Sequence, residues 1–175
     1  MSFFILDKVR IDDLISQMEL TSGAQDEWSF LYLDKKSGST WQLTKFLSAT
    51  DSSTVVVLKP YPPLTMEELV IMAMTSSNRD EILGASMELQ HRELCDGLDF
   101  RSFLFAQMRG IKYDSISQFE KERILTVITA TSLTDRINRR ETLGKPPMQI
   151  FADAHYFNTI GSQAEEIYRL VEQGA

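Results

Sequence analysis

In the run "SMELQHRELCD", Glu88, His91 and Cys95 fall at positions i, i+3 and i+7. On a helix this spacing sets a carboxylate, an imidazole and a thiol along one face. Glu-x-x-His is the spacing used by carboxylate-bridged di-iron bundles, which need a second such motif and two further Glu on facing helices. The second histidine, His155, has no Glu three residues before it. A tetrahedral zinc site on His91, Cys95 and Asp96 is left without a fourth ligand. The simpler account is a partly exposed helix face with Cys95 as a small core residue. The expectation is no metal and no cofactor. Nucleophilic chemistry finds no foothold either. The chain lacks a Gly-x-Ser-x-Gly elbow, a phosphate loop and a dinucleotide fingerprint. "ETLGKPP" has Gly-Lys without the preceding glycine spacing. No catalytic residue is expected, and the chain is not expected to be an enzyme.

Residues that could bind are easier to find. Acidic side chains crowd 80–99, and helix capping accounts for Asp80 and Glu81. Glu88, Glu93, Asp96 and Asp99 remain as a candidate acidic patch for a basic protein partner. Trp28, Tyr32 and Trp41 fall on one predicted hairpin. Aromatic cross-strand pairs stabilise sheets, and Trp and Tyr also anchor interfaces, so these three are the second candidate contact. Arg136, Arg139, Arg140 and Lys145 gather in "DRINRRETLGK". They could grip phosphate, but a solvated helix face with Asp135 and Glu141 as partners accounts for them more simply.

Composition bounds the rest. With 175 residues, 43% hydrophobic and 25% charged, the chain fits a single domain over 1–175. Within it, 7–60 should hold a helix and a small sheet, and 64–175 a helical part. No run of eighteen apolar residues occurs. The start "MSFFILDKVR" is too short an apolar run for a secretory signal and meets charge at Asp7. One cysteine excludes an internal disulfide and suits a reducing cytoplasm. A net charge of −7 argues against a sequence-independent grip on nucleic acid.

The elements that must position these residues follow from periodicity and punctuation. Residues 7–18 carry apolar positions at helical spacing with Asp7 as cap. "ELTSGAQDE" breaks that pattern. Trp28–Leu33 and Thr40–Leu47 alternate across the turn "DKKSGS" and read as paired strands. "STVVVLKP" is a third strand stopping at Pro60, which makes a three-stranded antiparallel meander. After "PYPPLT", Thr65 and Glu68 form a capping box for a helix over 66–76. Asn78 with Glu81 repeats the device for a helix over 79–94. Gly84, Ala85 and Ser86 there admit a close neighbour. A helix follows up to Gly110, and another starts at Ser115 or Ser117 and runs to about Ser132. "TDRINRRETLG" reads as a capped helix ending at Gly144, "KPPMQIFADAHYFNTIG" as a loop or broken segment, and "SQAEEIYRLVEQ" as a closing helix. The fold class is α+β: a small antiparallel meander followed by helical hairpins of HEAT-like character, mainly helical overall.

The segments "EWSFLYLDKKSGSTW", "PPLTMEELVIMAMTSSNRDEILGASMEL" and "DFRSFLF" together resemble small bacterial immunity proteins of polymorphic toxin systems. The resemblance lies in the Trp-led hairpin, the P-x-T-x-E-E-L helix start, the N-x-D-E-I-x-G-A-S helix and the D-F-R after it. It covers roughly residues 27–109. Such proteins often carry a glycine-rich stretch beside the third strand, where this chain has "SATDSSTVVV". The resemblance implies neutralisation of a toxin in the cytoplasm by tight binding, without chemistry. Its rival is a HEAT-like scaffold or adaptor module of a larger assembly.

Overall fold

The computed structural model describes residues 2–23, 28–47 and 53–173. Helix α1 (Lys8–Ser16) is followed by strands β1 (Glu19–Gly23), β2 (Phe30–Asp34), β3 (Ser39–Leu47) and β4 (Thr54–Tyr61). Helices α2 (Met66–Thr75), α3 (Arg79–Asp96), α4 (Arg101–Arg109), α5 (Gln118–Ala130) and α6 (Pro147–Gln173) complete the chain, with a 3₁₀ turn at Tyr113–Ser115. The architecture is α+β and mainly helical, with the sheet before the main helical part.

The sheet is an antiparallel meander in the order β1-β2-β3-β4. It has one strand more than expected. β1 lies in the segment "ELTSGAQDE", which breaks the helical pattern of residues 7–18, and a register shift between Leu20 and Ser22 breaks its alternation. The predicted hairpin forms with Tyr32 opposite Trp41 and Phe30 opposite Leu43. β4 runs through Pro60 to Tyr61, which an edge strand tolerates because a missing N–H there costs little.

Alternation divides β4 between two cores. Leu58, with Val56 beside it, joins Trp41, Ile5 and Ile11 in a small core under α1. Val57 faces the opposite way, joining Phe46 in the larger core built with the helices. Residues 2–6 form a strap along the outer edge of β4. Ile5 and Leu58 exchange two backbone hydrogen bonds of 3.0 Å. Phe4, 1% exposed, packs into the notch left by Gly84 on α3.

The helix starts follow their caps. Thr65 and Glu68 close a capping box on α2, and Ser117 and Glu120 close another on α5. Asn78 caps α3 by accepting from the Asp80 N–H, at 2.9 Å. Its expected reciprocal partner is engaged elsewhere. Glu81 accepts the Phe3 N–H at 3.0 Å and the Ser76 hydroxyl at 2.6 Å, and Asp80 accepts the Leu6 N–H at 3.3 Å. The acidic first turn of α3 therefore holds the N-terminal strap, with negative charge at the positive end of the helix dipole.

The C-terminal third differs from expectation. Residues 135–146 hold no helix, and α6 begins at Pro147 and continues through Gly161 as one helix of 27 residues. Proline is favoured in a first helical turn, where its missing N–H would have no partner anyway. Gly161 marks a close approach. A Cβ there would lie 2.8 Å from Arg136 Cγ and 2.9 Å from the Thr134 carbonyl oxygen.

Candidate functional site

The expected acidic face on α3 does not form. Glu88 is buried, turned toward the sheet, and ion-paired with Lys59 of β4. Glu93 is also buried and takes a bidentate contact from Arg101, at 2.6 Å from Nε and 2.9 Å from Nη2. Arg101 is 0% exposed. It also donates to the carbonyls of Leu133 and Asp135, at 3.4 and 2.9 Å, and lies 4.7 Å from the centroid of Phe157. Burial of these charges demands such partners, because an unpaired charge in the interior costs several kcal/mol, on the order of 3–5. Asp99 accepts from Arg140 at 2.6 Å and from the Tyr156 hydroxyl at 2.5 Å. Asp96 is the most exposed of the four, with Arg92 Nε 4.0 Å away.

The basic cluster is likewise absorbed internally. Arg136 pairs with Glu165 at 2.5 Å, and Arg139 pairs with Asp135. Arg140 and Lys145 converge on Asp153 at 2.6 and 2.9 Å. These two cations hold the Asp153 carboxyl below the usual carboxylate value. Burial, with Asp99 adding to it, pushes the Tyr156 hydroxyl up to about 12. This network ties the irregular segment 135–146 to α4 and α6 in place of the helix expected there.

The aromatic trio splits. Trp41 is 5% exposed in the small core, and Tyr32 is half-buried opposite it. Trp28 is 59% exposed, with the Lys45 ammonium 4.2 Å from its ring centroid.

Trp28 opens onto a groove of about 730 Å³ where the second half of α3 passes the end of β3. Its apolar lining is Trp28, Phe46 and Leu47 from the sheet side and Leu94 from α3, with His91 and Cys95 beside them. The His91 ring packs on Phe46 with centroids 5.0 Å apart. A smaller groove of about 410 Å³ between α3 and α5 has the ion pair of Arg79 and Glu122, at 2.8 Å, in its lining. The larger groove is the better candidate site, since ligand sites are concave, mostly apolar and carry a few polar groups.

The chemistry available in this groove is limited. Cys95 Sγ lies 3.8 Å from His91 Nδ1. Burial, and then the Asp96 carboxylate, push the Cys95 thiol above its ordinary value. The thiol stays protonated at neutral pH, whereas a nucleophilic cysteine needs the thiolate. Glu88 leaves His91 and Cys95 for Lys59, so the three residues at helical spacing do not converge. Among the described residues no group of three or more His, Cys, Asp or Glu is placed to hold a metal ion. No helix among them is long and apolar enough to cross a membrane.

The residues that sequence reasoning missed are Leu47 and Leu94, 62% and 47% exposed. Leu47 entered the sequence reading as the end of a strand, and Leu94 as the end of a helix. Their exposure follows from positions at the ends of elements, where the neighbouring layer no longer covers them. No known protein family, curated protein or solved structure matches this chain.

Proposed function

We propose that this chain is a non-catalytic, cytoplasmic protein-binding protein that neutralises a toxin domain by occlusion, as the resemblance of residues 27–109 to immunity proteins suggests. The observation that supports it is the gathering of Trp28, Leu47 and Leu94 around one groove. Exposed large apolar side chains scattered singly need no explanation, but three sharing one concavity mark a contact surface. Tryptophan on such a surface is among the residue types that most often carry binding energy. The contact therefore moves from the acidic face anticipated on α3 to the groove beside it. The net charge of −7 still favours encounter with a basic domain at long range.

The test is purification from native cells at low salt, with mass spectrometry of what accompanies the protein. One stoichiometric partner, toxic when expressed alone and neutralised by this chain, supports the proposal. Leu94→Asp should then release it and Trp28→Ala weaken it by at least tenfold, in keeping with about 2 kcal/mol for a buried aromatic anchor. A large constitutive assembly in place of such a partner would refute it, and a toxin neutralised equally well by both variants would refute the groove as the contact.

A further inference from the structure

We infer that the segment this groove receives carries an acidic residue beside an apolar one, an inference that rests on the protein-binding reading above. The chain as a whole is acidic, with 25 carboxylate side chains against 18 cationic ones. Among the described residues the lining of the groove runs the other way: it contains no Asp or Glu, and Lys45 is its one formally charged member. The other polar groups there are Thr44, Thr54, Gln90 and His91. Gln90 spends an amide hydrogen on the Ser132 hydroxyl, at 3.1 Å.

The Lys45 ammonium differs from most cations of this molecule. Lys59, Lys145, Arg101, Arg136, Arg139 and Arg140 each meet a carboxylate. Lys45 lies over the face of Trp28. A ring face attracts a cation but leaves its hydrogen-bond donors available. An incoming carboxylate can take those donors without displacing the ammonium from the ring. The same approach sets its neighbouring apolar side chain against Trp28, Phe46 and Leu94. A basic side chain would meet Lys45 instead and gain nothing from the lining.

The test uses three acetylated, amidated hexapeptides that share a Phe-Leu pair and differ at one adjacent position, which is Glu, Gln or Lys. Binding is read from Trp28 emission, with Trp28→Phe as the blank because Trp41 is buried. The Glu peptide should bind about fivefold more tightly than the Gln peptide, the scale of a partly exposed ion pair. The Lys peptide should bind most weakly. Raising salt to about 0.5 M should shrink the preference. Lys45→Met, an exposed substitution that keeps an unbranched side chain beside Trp28, should erase the preference for the Glu peptide over the Gln peptide. Equal binding of all three peptides, or a preference for Lys, overturns the inference while leaving the groove as a docking site. Absence of saturable binding by any peptide overturns the groove as a segment site. The toxin reading is decided separately by the partner that co-purifies and by its response to Leu94→Asp.

Discussion

Replacing Gly84 with alanine inside α3 should destabilise the protein, although the same change in an ordinary helix interior stabilises by about 1 kcal/mol. The added Cβ would lie 2.6 Å from each of three Phe4 atoms: Cβ, Cγ and Cδ1. Such distances require movement, and Phe4 has little freedom to give. It is 1% exposed and precedes Ile5, whose backbone is bonded to Leu58 on both sides. Overpacking of this kind costs about 1–3 kcal/mol. Set against the helix gain, the net loss is up to about 2 kcal/mol, or as much as roughly 8 °C in Tm for a chain of this size. Phe4→Gly removes the obstructing atoms. That variant alone should lose about 3–5 kcal/mol as a core aromatic. In its background the sign of Gly84→Ala should reverse to a gain of up to about 1 kcal/mol. The assay is urea unfolding followed by far-UV circular dichroism, comparing midpoints at constant m. The reasoning is refuted if Gly84→Ala stabilises the parent protein, or if the two substitutions add within about 0.5 kcal/mol.

Three further outcomes are expected. Glu93→Gln should cost about 3–5 kcal/mol because it strands the buried Arg101 guanidinium, and Glu93→Leu with Arg101→Met should recover most of that loss in thermal unfolding. Asp153 has a folded pKa depressed below 3.8, so its contribution to stability is present above that value and is lost as pH falls through the folded one; Asp153→Asn should flatten the acid limb of a stability-against-pH curve, and an unchanged limb would exclude its pairing with Arg140 and Lys145. Ser117→Ala should cost about 1 kcal/mol through loss of the α5 cap, read as a shifted urea midpoint.

What could be read in the sequence was local. Thr65, Asn78 and Ser117 mark helix starts because a side-chain oxygen that satisfies an amide two or three residues on needs no tertiary knowledge. The hairpin from Phe30 to Leu43 followed from alternation. The readings that failed all depended on distant partners. Glu88 and Glu93 looked like surface charge because their cations, Lys59 and Arg101, are brought to them only by the packed fold. Residues 134–144 looked helical, yet Arg140 reaches instead to Asp153 on a separate element, where Lys145 joins it. Pro147 and Gly161 looked like breakers. One instead opens α6, and the other lets Thr134–Arg136 lie against it. β1 was hidden because its alternation is interrupted at Leu20–Ser22. At the candidate site Trp28 was identified, while the exposure of Leu47 and Leu94 depends on where α3 ends relative to β3.

The two buried carboxylates of α3 have a geometric consequence. Five residues separate Glu88 from Glu93, so they project roughly 140° apart around the helix axis. One is matched by a cation from the sheet and the other by a cation from the helical layer, with α3 lying between. An α3 turned by one residue would withdraw both carboxylates from their partners at once and leave four charges stranded. Apolar side chains alone penalise such a turn gradually, since one aliphatic group can replace another. The paired charges make the penalty abrupt. They act as two keys cut on different sides of one shaft, and together they leave α3 a single angular setting.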